Sequence, residues 1–186
     1  HPTVNRTPPP RPQTVAVVGV GVKTPAGLTP DELWAALCVG RSTAQPYVDA
    51  RLPPGAGVLV CRAERFEPAA YLSPVERRRF DRSHQLAIAA AQDAVDDHGS
   101  GRPPGERCAV VCGVGLGAAA YQEEQYARLF GSGLGSISPL AIPMMMPSAL
   151  AAFLSMRFAF KGPCLTVSTA CASGATAIAE GVELIR

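Results

Sequence analysis

The sequence predicts an α/β domain built on a mostly parallel sheet. Two observations carry this prediction: continuous apolar runs alternate with helix-like segments, and each run ends at a turn rich in glycine or proline. Such runs are typical of strands buried on both faces, and their alternation with helices is typical of parallel sheets. The chain has 186 residues, 47% of them hydrophobic, and is therefore large enough to bury a core.

The first predicted strand is TVAVVGVGVKTPAG, residues 14–27. It follows the proline-rich segment 1–13, which we expect to be an extended leader or linker. The GVGV within this run raises a nucleotide-dependent oxidoreductase as one reading, but no third glycine follows and the next helix begins only at Thr29. Thr29 as the N-cap and Pro30 at the first helical position predict a short helix that ends at Gly40.

A long helix is predicted in the middle of the chain. Residues 41–70 are irregular in composition, with one predicted strand at 57–63. Ser73 followed by a proline, with Glu76 three residues on, is a capping box that opens a helix running to Gly99. The first half of this helix concentrates arginine side chains.

The second half of the chain repeats the alternation of strand and helix. A strand is predicted at 106–117 and a helix at 118–130, followed by a glycine-rich loop. A buried helix is predicted within 142–160, starting at Pro147 and Ser148. The final strand is predicted at 161–170 and the final helix at 171–186.

Composition excludes several functional classes. With 17 basic and 15 acidic residues the net charge is +2, which predicts neither nucleic acid nor an anionic membrane as a partner. No apolar stretch reaches the roughly 20 residues of a membrane-spanning helix, so we expect a cytoplasmic protein. The six cysteines show no CxxC pair and no zinc spacing, which predicts reduced thiols and no metal. Cys108 and Cys112 read as core residues.

One cysteine, Cys171 in TVSTACASG, lies where the strand pattern changes to the helix pattern. A helix N-terminus favours a thiolate and offers free N–H groups that can stabilise an oxyanion. The small residues after it leave room for a substrate. The alternative is an inert buried thiol, and the residues alone leave both readings open. A nucleophile also needs a base, and polar neighbours predict that His84 and His98 lie at the surface.

Several blocks of sequence resemble one known family. They are VVGVGVKTPAG (17–27), RRRFDRSHQLAIAAA (77–91), GVGLG (113–117), EEQY (123–126), SPLAIPMMMPS (138–148) and KGPCLTVSTACASGATAI (161–178). In order and spacing they are similar to the β-ketoacyl synthases, the condensing enzymes of fatty-acid and polyketide synthesis. The resemblance implies a thiolase-like fold, with residues 14–186 forming its N-terminal half.

The resemblance also implies a reaction. The family's acyl-accepting cysteine matches Cys171, and the form ACASG is similar to the discrete elongating synthases. Cys171 would accept an acyl chain from acyl carrier protein, and a malonyl-carrier thioester would lose carbon dioxide and extend that chain. No bound cofactor is implied, because the substrates arrive on the phosphopantetheine of the carrier protein.

Four other residues match family positions. Leu116 matches a residue that borders the acyl pocket, and Met146 lies in a methionine segment near the pocket's far end and the dimer interface. For these methionines, plain core packing is the alternative. Arg78 and Arg79 match positions that contact the acidic carrier protein, with a solvated helix face as the alternative. The like charges gathered on one turn cost helix stability and favour the partner reading. The implied assembly is a homodimer, or a heterodimer with another synthase.

The chain departs from the family in one respect. Complete synthases are roughly twice as long, and their second half supplies two catalytic histidines, a lysine and a gate loop. We therefore expect these 186 residues to be the first half of a longer polypeptide, and we expect this half alone to be unable to carry out condensation. The competing hypothesis is a non-catalytic half-synthase that binds a carrier protein or a partner synthase.

Overall fold

A computed structural model describes residues 14–186 except 50, 51, 54, 56 and 100–102, so the predicted leader 1–13 lies outside the described residues. The helices in the described part of the chain are α1 (Pro30–Cys38), α2 (Pro74–Arg79), α3 (Arg82–Asp97), α4 (Ala119–Ser132), α5 (Ala141–Met145), α6 (Ala149–Phe158) and α7 (Ser173–Ile185). The strands there are β1 (Gln45–Tyr47), β2 (Val58–Val60), β3 (Val110–Gly113) and β4 (Cys164–Val167).

The centre of the molecule is the parallel pair β3 and β4, which runs in register from Val110 opposite Cys164 to Gly113 opposite Val167. Side chains alternate between the two faces of a strand. On one face of β3, Val110 and Cys112 belong to the buried core with residues of α3 and α6. On the other face α7 packs so closely that a Cβ on Gly113 would lie 2.3 Å from the Ser173 carbonyl oxygen. The predicted α/β layering is therefore present.

The predicted strand at 57–63 is confirmed as β2. Its antiparallel partner β1 arises within a stretch that the sequence predicts to be irregular. Proline at the middle position of β1 hides the strand pattern, and a proline is tolerated there because this two-stranded ribbon leaves every residue at an edge.

The predicted first strand is wrong within the described residues. Residues 14–24 form no regular secondary structure and pair with no strand there, and Val17 is 82% exposed instead of buried. The segment lies along α3, where a Cβ on Gly21 would come within 1.8 Å of the Ala90 carbonyl oxygen. The buried Lys23 side chain pairs with Asp93 of the same helix. The glycines of GVGV therefore permit close packing on a helix.

The predicted helix from Ser73 to Gly99 divides into α2 and α3. Phe80 has extended backbone angles, and the Asp81 side chain accepts a hydrogen bond from Ser83 N as the cap of a new helix. The Gln85 amide donates to the carbonyl oxygens of Arg77 and Phe80, which closes the end of α2. Asp81, a residue type that favours helix N-caps, was the signal for this break in the sequence. The helix-like spacing of the residues on both sides of Asp81 hid that signal.

The prediction of two surface histidines is wrong. His84 is 2% exposed and its ring meets Phe153 edge-on, with the centroids 5.7 Å apart. Burial lowers the pKa of His84, although the nearby Asp81 carboxylate opposes that shift. His98 is half-buried. Polar neighbours in sequence are a poor guide here because α3 is covered on more than one side.

Candidate functional site

Cys171 lies in a short turn between the end of β4 at Val167 and the start of α7 at Ser173. Its side chain is exposed. The turn reverses through Ala170, whose φ of 50° lies in the left-handed region. The predicted strand, turn and helix are therefore confirmed, and the cysteine is carried at the tip of the turn.

Backbone hydrogen bonds fix this turn. Ala172 N donates to the Thr169 carbonyl oxygen over 3.1 Å, and Ser173 N donates to the Ala170 carbonyl oxygen over 3.1 Å. Within the described residues, Cys171 N donates no backbone hydrogen bond. An N–H without such a bond beside an exposed thiol suits the stabilisation of negative charge on an attacked carbonyl oxygen.

The glycine-rich loop after β3 lies beside the turn. A Cβ on Gly115 would be 3.8 Å from the Ala170 carbonyl oxygen, so this loop and the cysteine turn are neighbours. The next residue, Leu116, is 87% exposed, and Gly117 then turns the chain with a φ of 67°. Leu116 is thus a large apolar side chain presented to solvent near the Cys171 turn.

The methionine segment separates into buried and exposed members. Met144 is buried in α5, whereas Met146 ends that helix and is half-exposed. A Cβ on Gly117 would be 3.9 Å from the Cα of Pro147, which places the methionine segment next to the loop that carries Leu116. The core reading therefore holds for Met144, while Met146 lies in a turn that borders this loop.

Arg78 and Arg79 project from α2 into solvent at one side of a concavity of about 290 Å³. Arg128 of α4 lines the same concavity and forms an ion pair with Glu124 over 2.5 Å. Sequence reasoning missed Arg128, because only the fold brings α4 beside α2. The predicted arginine pair thus becomes a three-arginine surface.

The six cysteines differ in their surroundings. Burial raises the pKa of the Cys112 thiol to about 11, with a smaller contribution from Cys164. Cys112 is therefore a core residue as predicted, whereas Cys108 is half-buried outside the strand and donates to the Pro104 carbonyl oxygen. In the described part of the chain, no three His, Cys, Asp or Glu side chains lie together as a metal site.

A strand, a cysteine turn and a helix, with a glycine loop alongside, form the centre of this α/β domain. Among the residues that the structure describes, every helix is too short or too polar to cross a membrane. Residues 13–186 match the family model described as the N-terminal domain of β-ketoacyl synthases. The chain therefore belongs to the β-ketoacyl synthase family, as the sequence resemblance predicts.

Individual relatives agree with this assignment. The 3-oxoacyl-[acyl-carrier-protein] synthase 2 of Coxiella burnetii is 28% identical over 173 residues, which is 92% of this chain and 42% of that protein. The ketoacyl synthase alpha subunit of the tetracenomycin polyketide synthase of Streptomyces glaucescens is 29% identical over 92% of this chain and 42% of its own length. The chain spans less than half the length of these relatives.

A solved structure described as the ishigamide ketosynthase/chain length factor superposes with a TM-score of 0.72 and 28% identity. The match covers 91% of this chain and 43% of that one. The thiolase-like fold is therefore shown for the N-terminal half.

Proposed function

We propose that this chain is the acyl-accepting part of an elongating β-ketoacyl synthase, with Cys171 as the nucleophile. The observation that carries the proposal is the exposed thiol on a strand-to-helix turn, beside an N–H group that makes no backbone hydrogen bond in the described structure. The contrast with the buried Cys112 supports the choice of cysteine. Membership in the β-ketoacyl synthase family supplies the reaction class.

The first step of the proposed reaction is a thioester exchange. The Cys171 sulfur attacks the carbonyl carbon of an acyl-carrier thioester, and the bond between that carbon and the phosphopantetheine sulfur breaks. The thiol proton of Cys171 passes to the departing phosphopantetheine thiol, so charge and atoms balance. The tetrahedral oxyanion formed on the way would accept a hydrogen bond from Cys171 N.

The second step is decarboxylative condensation. A malonyl-carrier thioester loses carbon dioxide, and the resulting carbanion attacks the acyl carbon held on Cys171. The carbon–sulfur bond to Cys171 breaks and the thiolate takes up one proton. The product is a 3-ketoacyl-carrier thioester that is two carbons longer, released without any bound cofactor.

We assign the groups that assist condensation to polypeptide outside these residues. An apolar groove of about 790 Å³ supports this assignment, because it opens between the extended segment 15–19 and β3. Contiguous exposed apolar patches are typical of surfaces that bind other polypeptide. The histidines, lysine and gate loop implied by the family would belong to that part.

The three-arginine surface is proposed as the docking site for the acidic carrier protein. Arg78, Arg79 and Arg128 present like charges from two helices, and among the described residues that line the concavity Glu124 is the one acidic side chain. Such clusters attract an acidic partner and raise its association rate, with a strong dependence on salt.

A second synthase chain is the proposed partner for α4 and α5. Large apolar side chains on this side of the molecule are exposed, namely Tyr126, Phe130, Leu134 and Ile142. An apolar patch of this kind is typical of protein interfaces. The solved ketosynthase/chain length factor pair supports an assembly of two such chains.

Intact mass spectrometry tests the acyl acceptor. After incubation with an acyl-carrier thioester, the wild-type chain should gain one acyl mass, and the Cys171→Ala variant should gain none. Cys61→Ala is the matched control, because Cys61 is also exposed but lies outside the turn. An equal gain in the Cys171→Ala protein would refute the assignment, and failure of every variant to gain mass would favour a non-catalytic binding role.

A binding titration tests the docking surface. Reversing Arg78, Arg79 or Arg128 to glutamate should weaken carrier binding about tenfold at low salt and less at high salt. Arg62→Glu is the matched control, because Arg62 is exposed beside β2, on another part of the molecule. Unchanged affinity in all three reversals would remove this surface.

A further inference from the structure

The turn that carries Cys171 contains one backbone conformation that must be held in place. Ala170 has a φ of 50°, in the left-handed region. A Cβ makes that region unfavourable, and a non-glycine residue stays there only when its surroundings hold it. The position of the cysteine that follows depends on this reversal.

The Ser173 hydroxyl makes two hydrogen bonds within the turn, one as donor and one as acceptor. It is buried with its residue at 3% exposure, and it donates to the Ala170 carbonyl oxygen over 2.6 Å. The same oxygen atom of Ser173 accepts from Thr169 N over 2.9 Å. The hydroxyl therefore joins the residue before the reversal to the reversal itself, with Cys171 inside the loop so formed.

A second hydroxyl layer lies outside the first. Thr176 Oγ1 donates to the Ala172 carbonyl oxygen over 3.0 Å, which uses its only hydrogen. The contact of 2.9 Å between the hydroxyls of Thr169 and Thr176 must then be donated by Thr169. This layer ties the same turn to the second turn of α7.

We propose that Ser173 is a positioning residue for Cys171, and that it acts by keeping Ala170 in the left-handed conformation. Thr176 supports it from the outer layer. The inference rests on the proposed function, because it assigns how this chain prepares Cys171 for acyl transfer. Without the hydroxyl, Ala170 relaxes towards a right-handed conformation, and the thiol and Cys171 N lose their common orientation.

Single-turnover acylation of the Ser173→Ala chain by an acyl-carrier thioester tests this proposal. The maximal rate should fall about tenfold, since each lost hydrogen bond of this kind shifts an equilibrium by about that factor. The carrier concentration that gives half the maximal rate should stay unchanged, because the arginine surface is untouched. Ser168→Ala is the matched control, because the exposed Ser168 hydroxyl bonds neither Thr169 N nor the Ala170 carbonyl oxygen and instead contacts the Gly115 carbonyl oxygen over 3.5 Å. Its rate should change less than twofold.

A rescue variant separates positioning from a general loss of structure. Glycine adopts a positive φ without strain, so Ala170→Gly in the Ser173→Ala background should restore the rate to within about threefold of wild type. A folded but slow Ser173→Ala chain that glycine does not rescue would overturn the proposal. If Ser173→Ala does not fold, Thr176→Val replaces it, with an expected loss of about threefold and the same rescue.

Amide hydrogen exchange keeps this inference distinct from the proposed function. In Ser173→Ala, exchange at Thr169 N should accelerate about tenfold, because its acceptor is gone. If the wild-type chain takes no acyl group, the proposed function fails while exchange still reports on the turn. If acylation occurs at Cys171 and Ser173→Ala leaves both the rate and the exchange unchanged, the positioning role fails alone.

Discussion

The two faces of β3 differ in how completely they are covered. On the face shared with α3 and α6, Ile88 is 1% exposed and belongs to a core of interlocking apolar side chains. Near the opposite face, α7 leaves Ile178 71% exposed along the apolar groove. The first face is covered by other elements of this chain, whereas the second is lined by apolar side chains that remain exposed. Stability therefore depends on the first face, and the second face is the one for which we propose covering polypeptide.

The largest expected effect tests the covered face. Ile88→Ala should lower the free energy of unfolding by about 3 kcal/mol, because it removes buried methyl groups and leaves a cavity. Ile178→Ala is the matched control on the open side and should change stability by less than about 0.5 kcal/mol. Urea unfolding followed by circular dichroism measures both. Equal losses in the two variants would erase the distinction between the faces.

The second effect tests how the extended N-terminal segment is held. Gly21→Ala should destabilise the fold by about 1–3 kcal/mol, because the new methyl group would overlap the Ala90 carbonyl of α3. The measurement is the urea midpoint, compared with Gly57→Ala, where no atom lies within 4 Å of the added Cβ. A wild-type midpoint in Gly21→Ala would mean that the segment does not pack on α3.

The third effect is a pH dependence located in the covered face. Burial lowers the pKa of His84, so the folded state favours the neutral ring while the unfolded chain takes up a proton near pH 6.5. The neutral His84 ring therefore contributes its full share to the free energy of unfolding above about pH 6.5. This contribution is lost as the pH falls through the lowered pKa of His84.

Thermal unfolding from pH 8 to pH 5 checks this sign. The melting temperature of the wild type should decrease once the pH is below about 6.5. The melting temperature of His84→Leu should decrease less across the same window. An identical pH dependence in the two proteins would mean that His84 is not the group responsible.

The smallest effect belongs to the open side and has the opposite sign. Gly181 lies in α7 along the groove, and a Cβ there meets nothing within 4 Å. Gly181→Ala should therefore stabilise the fold by about 0.5–1 kcal/mol through helix propensity. A shift of the melting midpoint to lower temperature would show that the groove is already filled in solution.

The success of sequence reasoning follows the same division. The turn at Cys171 was predictable because strand pattern, small residues and helix pattern meet within a few positions. The cap of α1 was equally local, since Thr29 accepts from Glu32 N as predicted. Local chemistry therefore determines these features.

The misses at residues 14–27, His84 and Arg128 are non-local. The apolar run at 14–27 has the pattern of a buried strand, but no strand in the described residues pairs with it. His84 and Arg128 owe their surroundings to other elements, one buried against Phe153 and the other brought beside α2. No spacing within a single segment reports on such neighbours.

The six-residue helix α2 illustrates what one carboxylate can do at a distance. Glu76 accepts from Ser73 N at the start of the helix and from Arg157 of α6 over 3.0 Å. Burial opposes its charge, yet the bonds from Ser73 and the Arg157 charge keep the pKa of Glu76 below its usual value. A helix this short is not stable alone, so the contacts of Glu76 with Ser73 and Arg157 determine how often α2 frays. The frayed population of α2 then sets the conformational entropy that the proposed carrier protein would have to remove on binding Arg78 and Arg79.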